Sequence, residues 1–186
     1  FTLGPRAAAR LGLEASKLAR DSGGSLLVST SSRTSTRATD ALQQALDAPH
    51  YWHVWRQAEG PNPYWGMLGL ADRFIVTADS IAMLSEACAT GKPVDMFDLG
   101  GMREGVDQPR DFRLGGLLYR ALMKWGWPPL SRDISLVHKA LVASGRAAWL
   151  GGERRPLQEQ DSTDMARAVR AVKGLFVEFG DASCVD

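Results

Sequence analysis

The feature that most constrains this chain is a repeated change of hydrophobic period. Short apolar or β-branched runs at residues 25–28, 51–55, 73–77 and 94–97 alternate with stretches whose apolar residues recur every three or four positions. Runs this short, bounded by turn residues, read as buried strands, and the longer period reads as helices. The first helix is expected over residues 5–20, with Leu11, Ala15, Leu18 and Ala19 on one face. A second is expected over 36–46, with Ala38, Ala41, Leu42, Ala45 and Leu46 together. A third follows the turn Gly60-Pro61-Asn62-Pro63 over about 64–70, and a fourth spans 79–90. Helix-stopping residues stand where they should: Asp21-Ser22-Gly23-Gly24 after the first helix, Gly91 and Pro93 after the fourth. Strands that alternate with helices must be joined by crossovers. The order therefore implies an α/β fold, a Rossmann-like parallel sheet flanked by helices.

Past residue 110 the pattern is weaker. Residues 111–124 read as a helix with Leu114, Leu117, Leu118 and Leu122 on its apolar side. Residues 125–130 (WGWPPL) cannot continue it; they read as a packed corner or as an apolar patch that meets another domain or a partner. A further helix is expected over 135–144, a short strand over 147–150, a charged loop over 153–161 and a helix over 162–179, striped by Met165, Val169, Val172 and Phe176. The 186 residues, 45% hydrophobic, suffice for one compact core, so a single domain over residues 1–186 is the expectation.

Several function classes are disfavoured. A net charge of +1 provides no basic field for nucleic acid. Cys88 and Cys184 fit neither a disulfide scaffold nor a zinc cluster. No apolar run reaches the roughly 18 residues of a membrane span, and the first residues lack a signal-peptide core. The expected location is cytoplasmic, with peripheral membrane association left open. The sequence has no G-x-G-x-x-G, no Walker loop and no Tyr-x-x-x-Lys pair, since Tyr51, Tyr64 and Tyr119 all lack the lysine. His50 and His53 have no carboxylate or cysteine companion at ligand spacing, so no metal and no cofactor are assigned. His138 reads as a surface or partly packed helix residue. A chain that starts at Phe1 rather than Met reads as cut from something longer.

The chemically informative residues lie where strands give way to helices. The run 73–77 ends in Thr77-Ala78-Asp79-Ser80, where a helix begins. Free backbone N–H groups and the helix dipole favour an anion there, and Thr77 and Ser80 add hydroxyls. Glu86 stands two helical turns on, in a helix otherwise rich in Ile81, Ala82, Met83, Leu84, Ala87 and Cys88. A carboxylate among such neighbours needs a partner. Vicinal ribose hydroxyls would serve; so would a core arginine, with Asp79 or Ser80 merely capping the helix. The loop after the first strand carries Ser29, Ser31, Arg33 and Thr34, and lies at the carboxyl edge where open α/β sheets bind ligands. Arg33 offers a fork suited to phosphate, or is a solvated side chain on a polar turn.

Residues 71–94 resemble the donor-binding half of GT-B glycosyltransferases that use UDP-N-acetylglucosamine. Ala71-Asp72, Ser85-Glu86, Gly91 and Pro93 match that pattern, while Asp79 and Ser80 replace its Ser and Gly. The resemblance is closer still to the mitochondrial fission family named after the plant "elongated mitochondria" protein, whose bacterial members are often labelled nucleoside-diphosphate-sugar epimerases. It rests on Ser31-Ser32-Arg33-Thr34, on Asn62-Pro63-Tyr64, and on the stretch from Thr77-Ala78-Asp79-Ser80 through Met83-Leu84-Ser85-Glu86-Ala87 to Gly91-Lys92-Pro93-Val94. It is specific over residues 24–97. It implies the C-terminal half of a GT-B-like protein, with the N-terminal acceptor-side domain absent from this chain and acting as its partner. The ligand implied is a nucleotide-diphosphate sugar of UDP type. Glu86 would hold the ribose, and the Asp79-Ser80 backbone and Arg33 would face the diphosphate. The general base would come from the other half, so no catalytic residue is assigned. The rival implication is a non-catalytic adaptor that recruits a protein or membrane partner.

Overall fold

The computed structural model describes residues 3–55, 60–100 and 134–157, with Arg170 and Lys173. The chain divides into two compact units, Phe1–Pro156 and Leu157–Asp186. In the second, Arg170 and Lys173 are helical and exposed. The expected elements over 111–124, 125–130 and, apart from those two residues, 162–179 lie outside the described residues.

The first unit runs α1 (Pro5–Asp21), β1 (Leu26–Ser29), α2 (Thr36–Ala45), β2 (His50–His53), α3 (Tyr64–Leu70), β3 (Phe74–Thr77), α4 (Ile81–Ala89), β4 (Val94–Phe97), α5 (Ser135–Ala143) and β5 (Ala147–Trp149). Local chemistry accounts for the boundaries. Pro5 opens α1, where a missing N–H costs nothing. The Ser35 hydroxyl caps α2 by accepting from the Ala38 N–H. Gly23 and Gly91 take positive φ just past the ends of α1 and α4.

All strand pairings are parallel. β1 pairs with β2, Leu26 opposite His50 and Ser29 opposite His53. β4 lies between β3 and β5, with Val94 opposite both Phe74 and Ala147. The fold is thus a Rossmann-like α/β arrangement of parallel sheets flanked by helices. Among the described residues the strands form two ladders, β1–β2 and β3–β4–β5, and residues of β1 and β3 line a common cavity.

The core follows from this order. Every residue of β4 is buried, as a strand covered on both faces should be. Val94 and Met96 meet Phe74, Val76, Leu84 and Ala87, all buried. A second cluster joins Ala8 of α1 to Ala38 and Leu42 of α2. The two helices touch at Gly12, where a Cβ would stand 2.8 Å from that of Ala45. Asp95 is buried in the middle of β4, held by Arg73 Nε at 2.5 Å and Arg154 Nη2 at 2.9 Å. Among the described residues no helix is long and apolar enough to cross a membrane.

His138 departs from expectation. It is not a surface residue but 3% exposed, its ring edge-on to Trp149. The reason is a backbone carbonyl waiting for it at the carboxyl end of β3, described next.

Candidate functional site

Two connections leave the carboxyl ends of β1 and β3, the first shaped by its own hydroxyls and the second by backbone bonds and a histidine from α5. After β1, Thr34 N–H donates to the Ser31 carbonyl at 3.0 Å. Ser31 N–H in turn donates to Thr34 Oγ1 at 3.1 Å, and Arg33 N–H to Ser31 Oγ at 3.3 Å. These bonds turn the loop back on itself and leave the Arg33 side chain projecting, 58% exposed. Ser and Thr hydroxyls commonly close such turns.

After β3, the Ser80 N–H donates to the Thr77 carbonyl at 3.0 Å. The Ala78 N–H donates to the Phe97 carbonyl at 3.0 Å, tying this turn to the end of β4. The Ala78 carbonyl accepts from His138 Nε2 at 2.6 Å. That bond requires the proton on Nε2, since a carbonyl only accepts. His138 Nδ1 is buried and has no hydrogen-bond partner. α4 begins at Ile81, two residues later than the sequence pattern suggests, so Asp79 and Ser80 belong to the turn rather than to the helix. Ser80 precedes the helix without capping it through its side chain.

The two turns meet. Arg33 Nη2 lies 4.0 Å from Asp79 Oδ2, an ion pair between an exposed guanidinium and a carboxylate only 12% exposed. Ser29, Ser31, Arg33, Thr77, Asp79 and Ser80 all line one cavity of about 740 Å³. Its polar end is formed by these residues at the strand ends, and Leu26, Val28, Ile75 and Val76 continue it along the strands. With Thr30 and Thr34, which also line it, the strand ends bring one guanidinium, six hydroxyls and one carboxylate to the edge where open α/β sheets take ligands.

Ser85 and Glu86 do not line that cavity. Ser85 is exposed on α4. Glu86 is half-buried, and its partner is not an arginine: its Oε2 accepts from the Tyr64 hydroxyl at 2.5 Å. Burial pushes the Tyr64 phenol above its ordinary range, and the hydrogen bond and negative charge of Glu86 push it the same way. The Asn62-Pro63-Tyr64 turn positions this donor, with Asn62 Oδ1 accepting the Tyr64 N–H at 3.1 Å. The pairings of Tyr64 and His138 were thus not foreseen from the sequence. Tyr64 carried a signal only as part of a motif, and His138, sixty residues from Ala78, carried none.

His50 is exposed and holds the Ala48 carbonyl through Nδ1 at 2.8 Å, while His53 is buried at the end of β2. Among the described residues, no three His, Cys, Asp or Glu side chains are grouped to hold a metal ion.

No solved structure matches the chain. It is similar to the mitochondrial fission protein ELM1 of Arabidopsis thaliana, at 37% identity over 97 residues. That similarity covers 48% of this chain and 22% of the plant protein, so the chain spans well under half the length of this curated relative. The family model described as mitochondrial fission ELM1 matches residues 1–113, which take in both turns of the cavity, α3 and all of α4. The chain therefore belongs to the mitochondrial fission ELM1 family.

Proposed function

We propose that this chain is the donor-side domain of a GT-B-like protein and binds the diphosphate of a UDP-type nucleotide sugar between its two turns. The convergence of Arg33, Ser31, Thr77 and Ser80 on one cavity carries the reading. Arg33 and the hydroxyls would take the phosphate oxygens through charge-assisted and neutral hydrogen bonds. Asp79 Oδ2 stands 4.0 Å from Arg33 Nη2. A diphosphate, with more charge and more acceptor atoms, would draw the guanidinium away from it. In a transferase, the contribution of such a domain is positioning and stabilisation of the leaving diphosphate. The acceptor and the general base would belong to a preceding domain, and the isolated chain is expected to be inactive.

Titration calorimetry with UDP and UDP-N-acetylglucosamine tests this. Binding should weaken by about tenfold or more in Arg33→Ala, the loss of one hydrogen bond to a charged group. Absence of binding by both nucleotides would sink the proposal.

The second reading is an adaptor that recruits a protein or a membrane surface during mitochondrial division, the process in the plant relative's name. The internal Tyr64–Glu86 pair favours it, because a carboxylate already satisfied within the fold has less need of a ribose. On this reading Glu86→Gln lowers the melting temperature and alters no nucleotide affinity.

A further inference from the structure

A second cavity, of about 520 Å³, adjoins the first and shares Thr30, Ser31 and Thr34 with it. Its chemistry is different. From α2 come Thr36, Asp40 and Gln43, spaced so that one helix face presents all three. From the end of β2 and the residues after it come Trp52 and Trp55. Among the described residues no Lys, Arg or His lines it, and Asp40 is its one ionisable group. This described lining differs from that of the cavity beside Arg33.

Hydrogen bonds tie the walls together. Thr30 is buried and bonds in two directions: its N–H donates to the His53 carbonyl at 3.1 Å, and its Oγ1 accepts the Trp55 N–H at 3.0 Å. Trp55 is thus tied to the loop while its side chain remains partly open to solvent. Trp52 is half-buried and packs against the cluster of Ala8, Ala38 and Leu42. The α2 wall is anchored by its Ser35 cap.

Such a cavity matches a ligand with one apolar face and a rim of groups that both donate and accept. Indole rings supply flat apolar surface. A carboxylate accepts only, whereas an amide and threonine hydroxyls do both. A neutral pyranose has this form: its axial C–H bonds make an apolar face and its hydroxyls form the rim. We propose that the cavity between α2 and the end of β2 is a binding site for a neutral sugar ring, with Trp52 and Trp55 as the stacking surface and Asp40 and Gln43 as hydroxyl partners. The site stands on its own lining and does not require the anion cavity to bind a nucleotide.

The test is saturation-transfer NMR on the 186-residue chain with methyl β-D-glucopyranoside as probe. Saturable binding is expected, with the strongest transfer to the axial ring protons. Trp55→Ala and Asp40→Asn should each weaken it by about tenfold, and Gln43→Ala should weaken it as well. Trp55 and Asp40 are both exposed, so these variants are expected to fold. A parallel titration with pyrophosphate reports the Arg33 cavity separately. Glucoside binding without pyrophosphate binding would uphold the sugar site and count against the diphosphate reading; the reverse would overturn the sugar site alone. UDP-glucose distinguishes two sources of the ring. An affinity more than about tenfold above that of the glucoside marks the glycosyl end of a nucleotide sugar spanning both cavities, by effective concentration; equal affinity marks a free saccharide. Absence of saturable glucoside binding, an unchanged signal in Trp55→Ala and Asp40→Asn, or binding of choline in place of the glucoside would each overturn the proposal.

Discussion

At the scale of single residues, the partner of Glu86 decides what its substitution should do. Its carboxylate accepts from Tyr64, so Glu86→Gln converts a charge-assisted bond into a neutral one. The expected loss is on the order of 1 kcal/mol or less, since the pair is partly open to solvent. The same variant should lower the ionisation range of Tyr64, because the charge of Glu86 helps to raise it. Ultraviolet titration of the phenol reads this directly. The sign for stability follows: a phenol whose folded value is raised contributes fully below the ordinary tyrosine value of about 10 and loses that contribution as pH rises further. Denaturant melts of the wild type and of Tyr64→Phe should therefore converge in strong alkali. His138 gives a second expectation. His138→Phe keeps the ring but leaves the Ala78 carbonyl without its donor, at a cost of about 1–3 kcal/mol by urea unfolding. These two pairings also mark how far residues could be read from sequence. Ser31, Arg33 and Asp79 were legible because each occupies a strand-to-helix junction, and that grammar is local. Tyr64 and Glu86 are 22 residues apart, and His138 and Ala78 are 60 apart. Only the packing of α3 and α5 against the sheet brings them together.

At the scale of elements, hydrophobic period and end signals recovered the helices and strands among the described residues of the first unit with small shifts. The instructive shift is α4. A run of residues compatible with helix from Asp79 onward begins its helix only at Ile81. The Ala78 turn is held by β4 and His138, so the chain is not free to coil until it has left that turn. Ser35 offers a cleaner test of local control. Ser35→Ala removes the hydroxyl that accepts from Ala38 and should cost about 0.5–2 kcal/mol, visible as a lower urea midpoint with an unchanged slope. Gly145, between α5 and β5, is more demanding. It has φ +72°, and a Cβ there would fall 2.2 Å from the Pro156 carbonyl oxygen. Gly145→Ala must both strain its backbone and displace a carbonyl. Its loss should exceed the roughly 1 kcal/mol typical of a helix-interior glycine exchange, measured as a drop in melting temperature larger than that of Ser35→Ala.

At the scale of the molecule, the α/β class was legible because crossovers force parallel pairing. The division of the strands into two ladders was not, because nothing in the apolar runs of β1 and β3 says whether they bond to each other or border a cavity. That division has a measurable consequence in amide exchange with solvent deuterium. In a parallel strand, successive N–H groups point alternately to the neighbours on either side. Among the described residues β4 has a neighbour on both sides, whereas β1 and β3 each have one. Protection along β4 should therefore be uniformly high, and protection along β1 and β3 should alternate residue by residue. A ligand seated in the seam would slow the fast members of that alternation and leave β4 unchanged. The rhythm of exchange along two four-residue strands thus becomes a built-in reporter of occupancy.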